Sequence, residues 1–237
     1  MSKVDAAPAP AGRSLVELSP MRAAIARRMV DSKREAPHFY VETEVSMVAA
    51  LEFVARSRAD TESPRVTVTA LLARACAVAL GSNPRLNAVW SERGLEQVDA
   101  VNLGVAVALD DGLIAPALLG ADALTLAETA EALSDLVTRA RAKRLRAPEL
   151  SDGTFTLSNL GMFDVSQFTA IVVPPQVAIL ATGRTIERPV VLEGQIVARP
   201  VMAATVSADH RAVDGADVAV FLESFKSLLE APEQLDG

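Results

Sequence analysis

The sequence predicts an α/β fold in which a mixed β-sheet is covered by helices. Three observations lead there. Segments with helical period and segments rich in β-branched residues alternate along the chain, yet without the strict βαβ rhythm of a doubly wound parallel sheet. The chain has 237 residues, of which 50% are hydrophobic and 22% charged, enough for one large core. No internal repeat or heptad is visible, so the expectation is a tail over residues 1–13 and one domain over 14–237.

The Ala/Pro/Gly-rich opening 1–13 buries too little to fold and reads as a linker end or tail. Ser19-Pro20 supplies a helix cap with proline in the first turn, and Met21, Ile25 and Met29 recur at helical spacing to about Glu35. Pro37 ends that helix, and 39–45 reads as a strand. Ser46 is expected to cap a helix to about Arg58. A second helix from about Thr69 is apolar on most sides, hence buried, and Gly81-Ser82-Asn83-Pro84 stops it.

Strands are expected over 86–90, 101–109 and 113–118, with Asp110-Asp111-Gly112 turning between the last two. Thr125 and Glu128 form a capping box for a helix to about Arg144. Short β-rich runs follow at 155–157, 170–173, 177–181, 190–191 and 201–206, with Glu193-Gly194 turning a hairpin. The last helix, 216–230, sets Val218, Phe221, Leu222, Phe225 and Leu229 on one face.

A net charge of -7 opposes nucleic acid and anionic membranes as partners. No stretch of about 20 clean apolar residues spans a bilayer, and the N-terminus lacks the core of a secretory signal. The single cysteine, Cys76, lies in an apolar run and reads as buried packing. A reducing, cytoplasmic setting is the expectation.

Only two histidines, His38 and His210, are available as a base near neutral pH. His210 follows the run 201–206 and precedes Gly215, where a strand leaves the sheet and a turn aims a side chain; on the residues alone a structural role stays open beside a catalytic one. The densest basic cluster, Arg139, Arg141, Lys143, Arg144 and Arg146, is explained equally well as a solvated helix C-terminus or as a phosphate-binding group.

Three ordered motifs carry a resemblance. The segment Ser207-Ala208-Asp209-His210-Arg211-Ala212-Val213-Asp214-Gly215-Ala216 has the pattern H-x-x-x-D-G. Upstream stand Gly153-Thr154-Phe155-Thr156-Leu157-Ser158-Asn159-Leu160-Gly161-Met162-Phe163 and then Phe168-Thr169-Ala170-Ile171 with Pro174-Pro175-Gln176. With Met21-Arg22-Ala23-Ala24-Ile25-Ala26, Pro37-His38-Phe39 and Asp111-Gly112-Leu113-Ile114-Ala115-Pro116, they resemble the catalytic domain of dihydrolipoamide acyltransferases from 2-oxo acid dehydrogenase complexes. That family falls in the chloramphenicol acetyltransferase-like superfamily.

The resemblance implies a two-layer sandwich and acyl transfer between dihydrolipoamide and coenzyme A, with acetyl first and branched-chain acyl second. It implies His210 as general base and Ser158 as hydroxyl donor to the oxyanion. Asn159 either positions Ser158 or caps the strand end. Asp214 is expected to pair with an arginine, Arg22 or Arg27, or else to cap the final helix. His38 either lines the channel or is structural.

Coenzyme A enters as substrate, and the lipoyl group comes from a lipoyl domain in trans or from a part outside this sequence. The implied partners are two more copies in a homotrimer, with His210 of one facing Ser158 of the next, a lipoyl domain, and the other complex components. The short end after Pro232 favours a trimer over a cage. Asp164, and Ser151-Asp152 before Gly153, depart from the family's glycines. A non-catalytic scaffold on the same fold, and a coenzyme A-dependent acyltransferase to another acceptor, are the competing readings.

Overall fold

The structure, a computed structural model, describes residues 12, 14–59, 65–109 and 112–236. The expected tail and the Asp110-Asp111 turn therefore lie outside the described residues, Gly12 and Gly112 apart.

Helix α1 (Pro20–Glu35) starts where Ser19 accepts from the Arg22 amide, and the chain turns at Pro37 into β1 (His38–Ser46). Helices α2 (Val48–Ala59) and α3 (Val68–Gly81) follow, and then the hairpin β2 (Ala88–Ser91) and β3 (Gly94–Gln97). Four short strands come next: β4 (Leu103–Val105), β5 (Val107–Leu109), β6 (Gly112–Ile114) and β7 (Ala117–Leu118). Helix α4 (Leu126–Arg141) opens on the complete Thr125–Glu128 capping box. Then come α5 (Ala147–Ser151), β8 (Phe155–Asn159), β9 (Ala178–Thr182), β10 (Ile186–Leu192), β11 (Gln195–Asp209) and α6 (Gly215–Glu230).

The main sheet runs β1-β11-β9-β8-β4-β7, with β10 on the outer half of β11. Its pairs are antiparallel except β9 with β8 and β8 with β4, so the sheet is mixed, as the sequence predicts. Helix α3 is buried nearly all round, Cys76 included; burial raises the thiol pKa and leaves it an unreactive packing group. Helices α2, α4 and α6 pack against α3, and the apolar face of α6 completes this layer.

Several expectations are corrected. Ser46 ends β1, its amide bonded to Glu230, instead of capping α2. The run 101–109 is two strands in different sheets, because the Ala106 amide turns to Leu157 O. The run 113–118 splits at Pro116, which has no N–H to give a ladder. Segment 170–173 is no strand: the Val172 amide donates to His38 Nε2 and its carbonyl accepts from Ser32 Oγ. Strand β3 and helix α5 were not expected.

Candidate active site

In β8 side chains alternate between faces. Phe155 and Leu157 enter the helix-covered core, while Thr156 and Ser158 face a cleft on the other side, of about 530 Å³. The far wall is α1. Its stripe of Ile25 and Met29 lines this cleft instead of the core, and Ser32 is the one buried residue of that helix. Leu113, Leu160, Phe168, Ile171 and Ile179 make the space largely apolar. The Ser158 hydroxyl, in a residue only 9% exposed, has no hydrogen-bond partner among the described residues.

Asn159 points the other way. Its amide donates to Thr69 Oγ1 at 3.1 Å and its oxygen accepts from the Gly161 amide at 2.7 Å, so it closes the strand end and touches nothing in the cleft. The position next to an inward residue on a strand must face outward, which the alternation alone foretells.

His210 sits just past β11, exposed, with its amide bonded to Pro37 O at 3.0 Å and its ring 4.5 Å from that of Phe39. The register places Ser158 level with Ala181, and Ala181 level with Thr205. His210 is thus two strands across and five residues along, roughly 19 Å from Ser158 in the same chain. One chain does not bring the two together.

Asp214 accepts from the amides of Ala216 and Asp217 and caps α6, with Asp217 completing a reciprocal box. Its hydrogen bonds are those of the cap, not of a pair with Arg22 or Arg27. The acid that the sequence reading left unassigned is Asp209, 2% exposed, held by Arg211 in a two-pronged pair with contacts down to 2.6 Å. That pairing raises the pKa of Arg211, whose guanidinium lies 4.7 Å from the centre of the Trp90 ring. A carboxylate beside the histidine at the end of an apolar strand is the signal that could have flagged it.

His38 is fixed structurally. Nδ1 donates to Ala36 O at 2.8 Å, so that Nε2 accepts from the Val172 amide at 3.1 Å. Together with Arg28 on Pro174 O, the Trp90 amide on Pro175 O and the Asp209 amide on Val177 O, it stitches the cleft wall 172–177 to α1, β2 and the His210 loop. In the basic cluster, Arg139 and Arg146 both grip Glu149, a residue 2% exposed. Among the described residues no three or more His, Cys, Asp or Glu side chains group to hold a metal.

Residues 10–236 match the family described as 2-oxoacid dehydrogenases acyltransferase (catalytic domain). The dihydrolipoyllysine-residue acetyltransferase component of the pyruvate dehydrogenase complex of Zymomonas mobilis is 37% identical over 219 residues, 92% of this chain and 50% of that protein. The chain spans about half the length of the curated relatives it matches first. A dihydrolipoamide acetyltransferase of Azotobacter vinelandii, studied for the catalytic roles of a serine, a histidine and an asparagine, superposes with a TM-score of 0.89. It is 27% identical, covering 97% of this chain and 99% of the other. Chloramphenicol acetyltransferase, at 15% identity and a TM-score of 0.53 over 81% of this chain and 86% of its own, shares the fold.

Proposed function

We propose, on the premise that this chain belongs to the family of 2-oxoacid dehydrogenase acyltransferase catalytic domains, that residues 14–237 move an acyl group, acetyl first, between coenzyme A and a dihydrolipoyl thiol. The observation that carries the proposal is Ser158: a hydroxyl with no partner among the described residues, facing an apolar cleft. Such a donor suits an oxyanion that forms where water is scarce. Spacing supports it too. The serine and histidine studied in the Azotobacter enzyme are 52 positions apart, with the asparagine four further on; Ser158 and His210 are also 52 apart, with Asp214 four further on.

The chemistry runs as follows. His210, as a neutral imidazole, takes the proton of the incoming thiol, which at neutral pH is mostly un-ionised. The thiolate attacks the thioester carbonyl, and the Ser158 hydroxyl donates to the oxygen as it becomes negative. The tetrahedral adduct collapses, the carbon–sulfur bond to the outgoing thiol breaks, and the leaving thiolate recovers the proton from His210. No acyl-enzyme is needed.

The distance of roughly 19 Å within one chain supports a site shared between copies, with His210 of one facing Ser158 of another in a homotrimer. Exposed apolar side chains such as Leu15, Val16, Val191 and Ile196 are surface for such contacts. A lipoyl domain and the remaining components of a 2-oxo acid dehydrogenase complex are the proposed partners. The free, buried Cys76 accords with a reducing cytoplasm, and among the described residues no helix is long and apolar enough to cross a membrane.

The test offers acetyl, branched-chain and succinyl coenzyme A with free dihydrolipoamide, a lipoylated domain or a small alcohol as acceptor. The expected result is transfer to dihydrolipoamide that His210→Ala slows by about 10²–10⁴. Transfer to the alcohol alone would reassign the acceptor, and no transfer at all would leave a scaffold.

A further inference from the structure

The side chain of His210 is exposed, and an exposed side chain on a loop is held only as well as the backbone beneath it. Here that backbone is bonded at every amide from Asp209 to Asp214. The Asp209 amide donates to Val177 O at 2.8 Å and the His210 amide to Pro37 O at 3.0 Å, while those of Ala212 and Val213 both reach Asp209 O. The Asp214 amide donates to Asp217 Oδ2. For the Arg211 amide the acceptor is a side chain, Asp209 Oδ1, at 3.0 Å. That carboxylate, 2% exposed, is itself fixed. Arg211 Nη2 reaches Oδ2 at 2.6 Å, and Nε lies 3.0 and 3.1 Å from the two oxygens. The guanidinium rests against the Trp90 ring, and the Trp90 amide donates to Pro175 O at 2.7 Å. Through Val177 and Pro175 the histidine loop is thus tied to the cleft wall at two points.

We infer that Asp209 is a positioning residue for the base: through the Arg211 amide it sets the peptide plane that follows His210, and so aims the imidazole at the incoming thiol. This rests on the function proposed above. Peptide units are planar, so the backbone of one residue has only two soft torsions. Pro37 O holds the plane before His210 and Asp209 Oδ1 holds the plane after it. Both torsions are then fixed, and with them the direction of the Cα–Cβ bond. The Phe39 ring, 4.5 Å from the imidazole, limits the freedom that remains. Stability alone does not account for a buried acid at this place, because a buried ion pair is often no better than an apolar pair of its size. Aim does account for it. A general base must come within about 2.6–3.2 Å of the proton it takes, and a misplacement of about 1 Å can slow a reaction about 10²-fold.

The test places Asp209→Ala in the wild-type chain and in a His210→Ala chain, with acetyl coenzyme A and dihydrolipoamide as substrates. In the wild-type background kcat is expected to fall by about 10–10², with KM for both substrates within about twofold. In the His210→Ala background there is no imidazole to aim, and the same substitution should change the residual rate by less than about twofold. Asp209→Asn, which keeps an acceptor for the Arg211 amide, should recover most of the loss. Should Asp209→Ala fail to fold, Asp209→Val combined with Arg211→Met removes both charges and leaves neither unpaired, and the same comparison of backgrounds applies. An unchanged kcat, an equal loss in both backgrounds, a loss confined to KM, or an Asn variant no faster than the Ala one would each overturn the inference while the proposed function stands. A wild-type chain that transfers nothing from acetyl coenzyme A would sink the proposed function, and the inference with it.

Discussion

Gly183 stands where β9 ends, and a methyl group there would lie 2.1 Å from the carbonyl oxygen and 2.6 Å from the carbonyl carbon of Ser166. Both obstacles are backbone, so relief requires the loop across it to move as a whole. Gly183→Ala is expected to lower stability by about 1–3 kcal/mol, read by denaturant unfolding. Ser158→Ala should leave the unfolding midpoint nearly unchanged and cost about 10²–10³ in kcat; an equal loss in stability would make Ser158 structural. At this scale the motifs single out Ser158 and His210 as candidates, and strand alternation excludes Asn159 from the face that carries Ser158. Asp214 was harder to read. A carboxylate one residue before a helix finds two amide donors within its own turn, and such local bonds outcompete a distant arginine.

Helix α5 is five residues long, too short to show a period, which is why the sequence reading missed it. What holds it is one carboxylate. Glu149 receives Arg139 in two bonds, at 2.6 and 2.8 Å, as well as the backbone and guanidinium of Arg146. These bonds, that to Arg139 foremost, depress its pKa to about 2 despite the opposing effect of burial. A carboxylate whose pKa is lower in the folded chain stabilises the fold above its ordinary range, and that contribution fades as pH falls from about 4.5 towards 2. Glu149→Gln should cost on the order of 3 kcal/mol at neutral pH and flatten the acid limb of the stability curve. Because Leu150 and Ser151 line the cleft, the same variant should raise KM for the acyl donor. The longer elements, α1, α4, α6 and β1, were readable from caps and spacing. The division of 101–118 into four strands was not, since it depends on which neighbour each amide finds.

For the whole molecule, the mixed sheet under a helical layer follows from the order of periodic segments, whereas the proposed division of the site between copies comes from the family resemblance and not from periodicity or spacing. The proposed division has a direct test. Chains carrying His210→Ala and chains carrying Ser158→Ala should each be nearly inactive, and mixed oligomers assembled from the two should regain measurable transfer. In a mixed ring one boundary joins an intact serine to an intact histidine. Absence of any recovery, with exchange verified by mass, would mean that the two groups do not cooperate across a boundary. Light scattering on the wild-type chain should return three times the chain mass.

The chain has a single tryptophan, and its ring lies against the arginine that follows His210. Indole emission responds to a charge at its face, so every photon from this protein's tryptophan originates beside the loop that bears the proposed base. The molecule carries its own lamp there: ligand arrival or loop displacement can be followed in the unlabelled wild-type chain, with Arg211→Leu as the dark-field control.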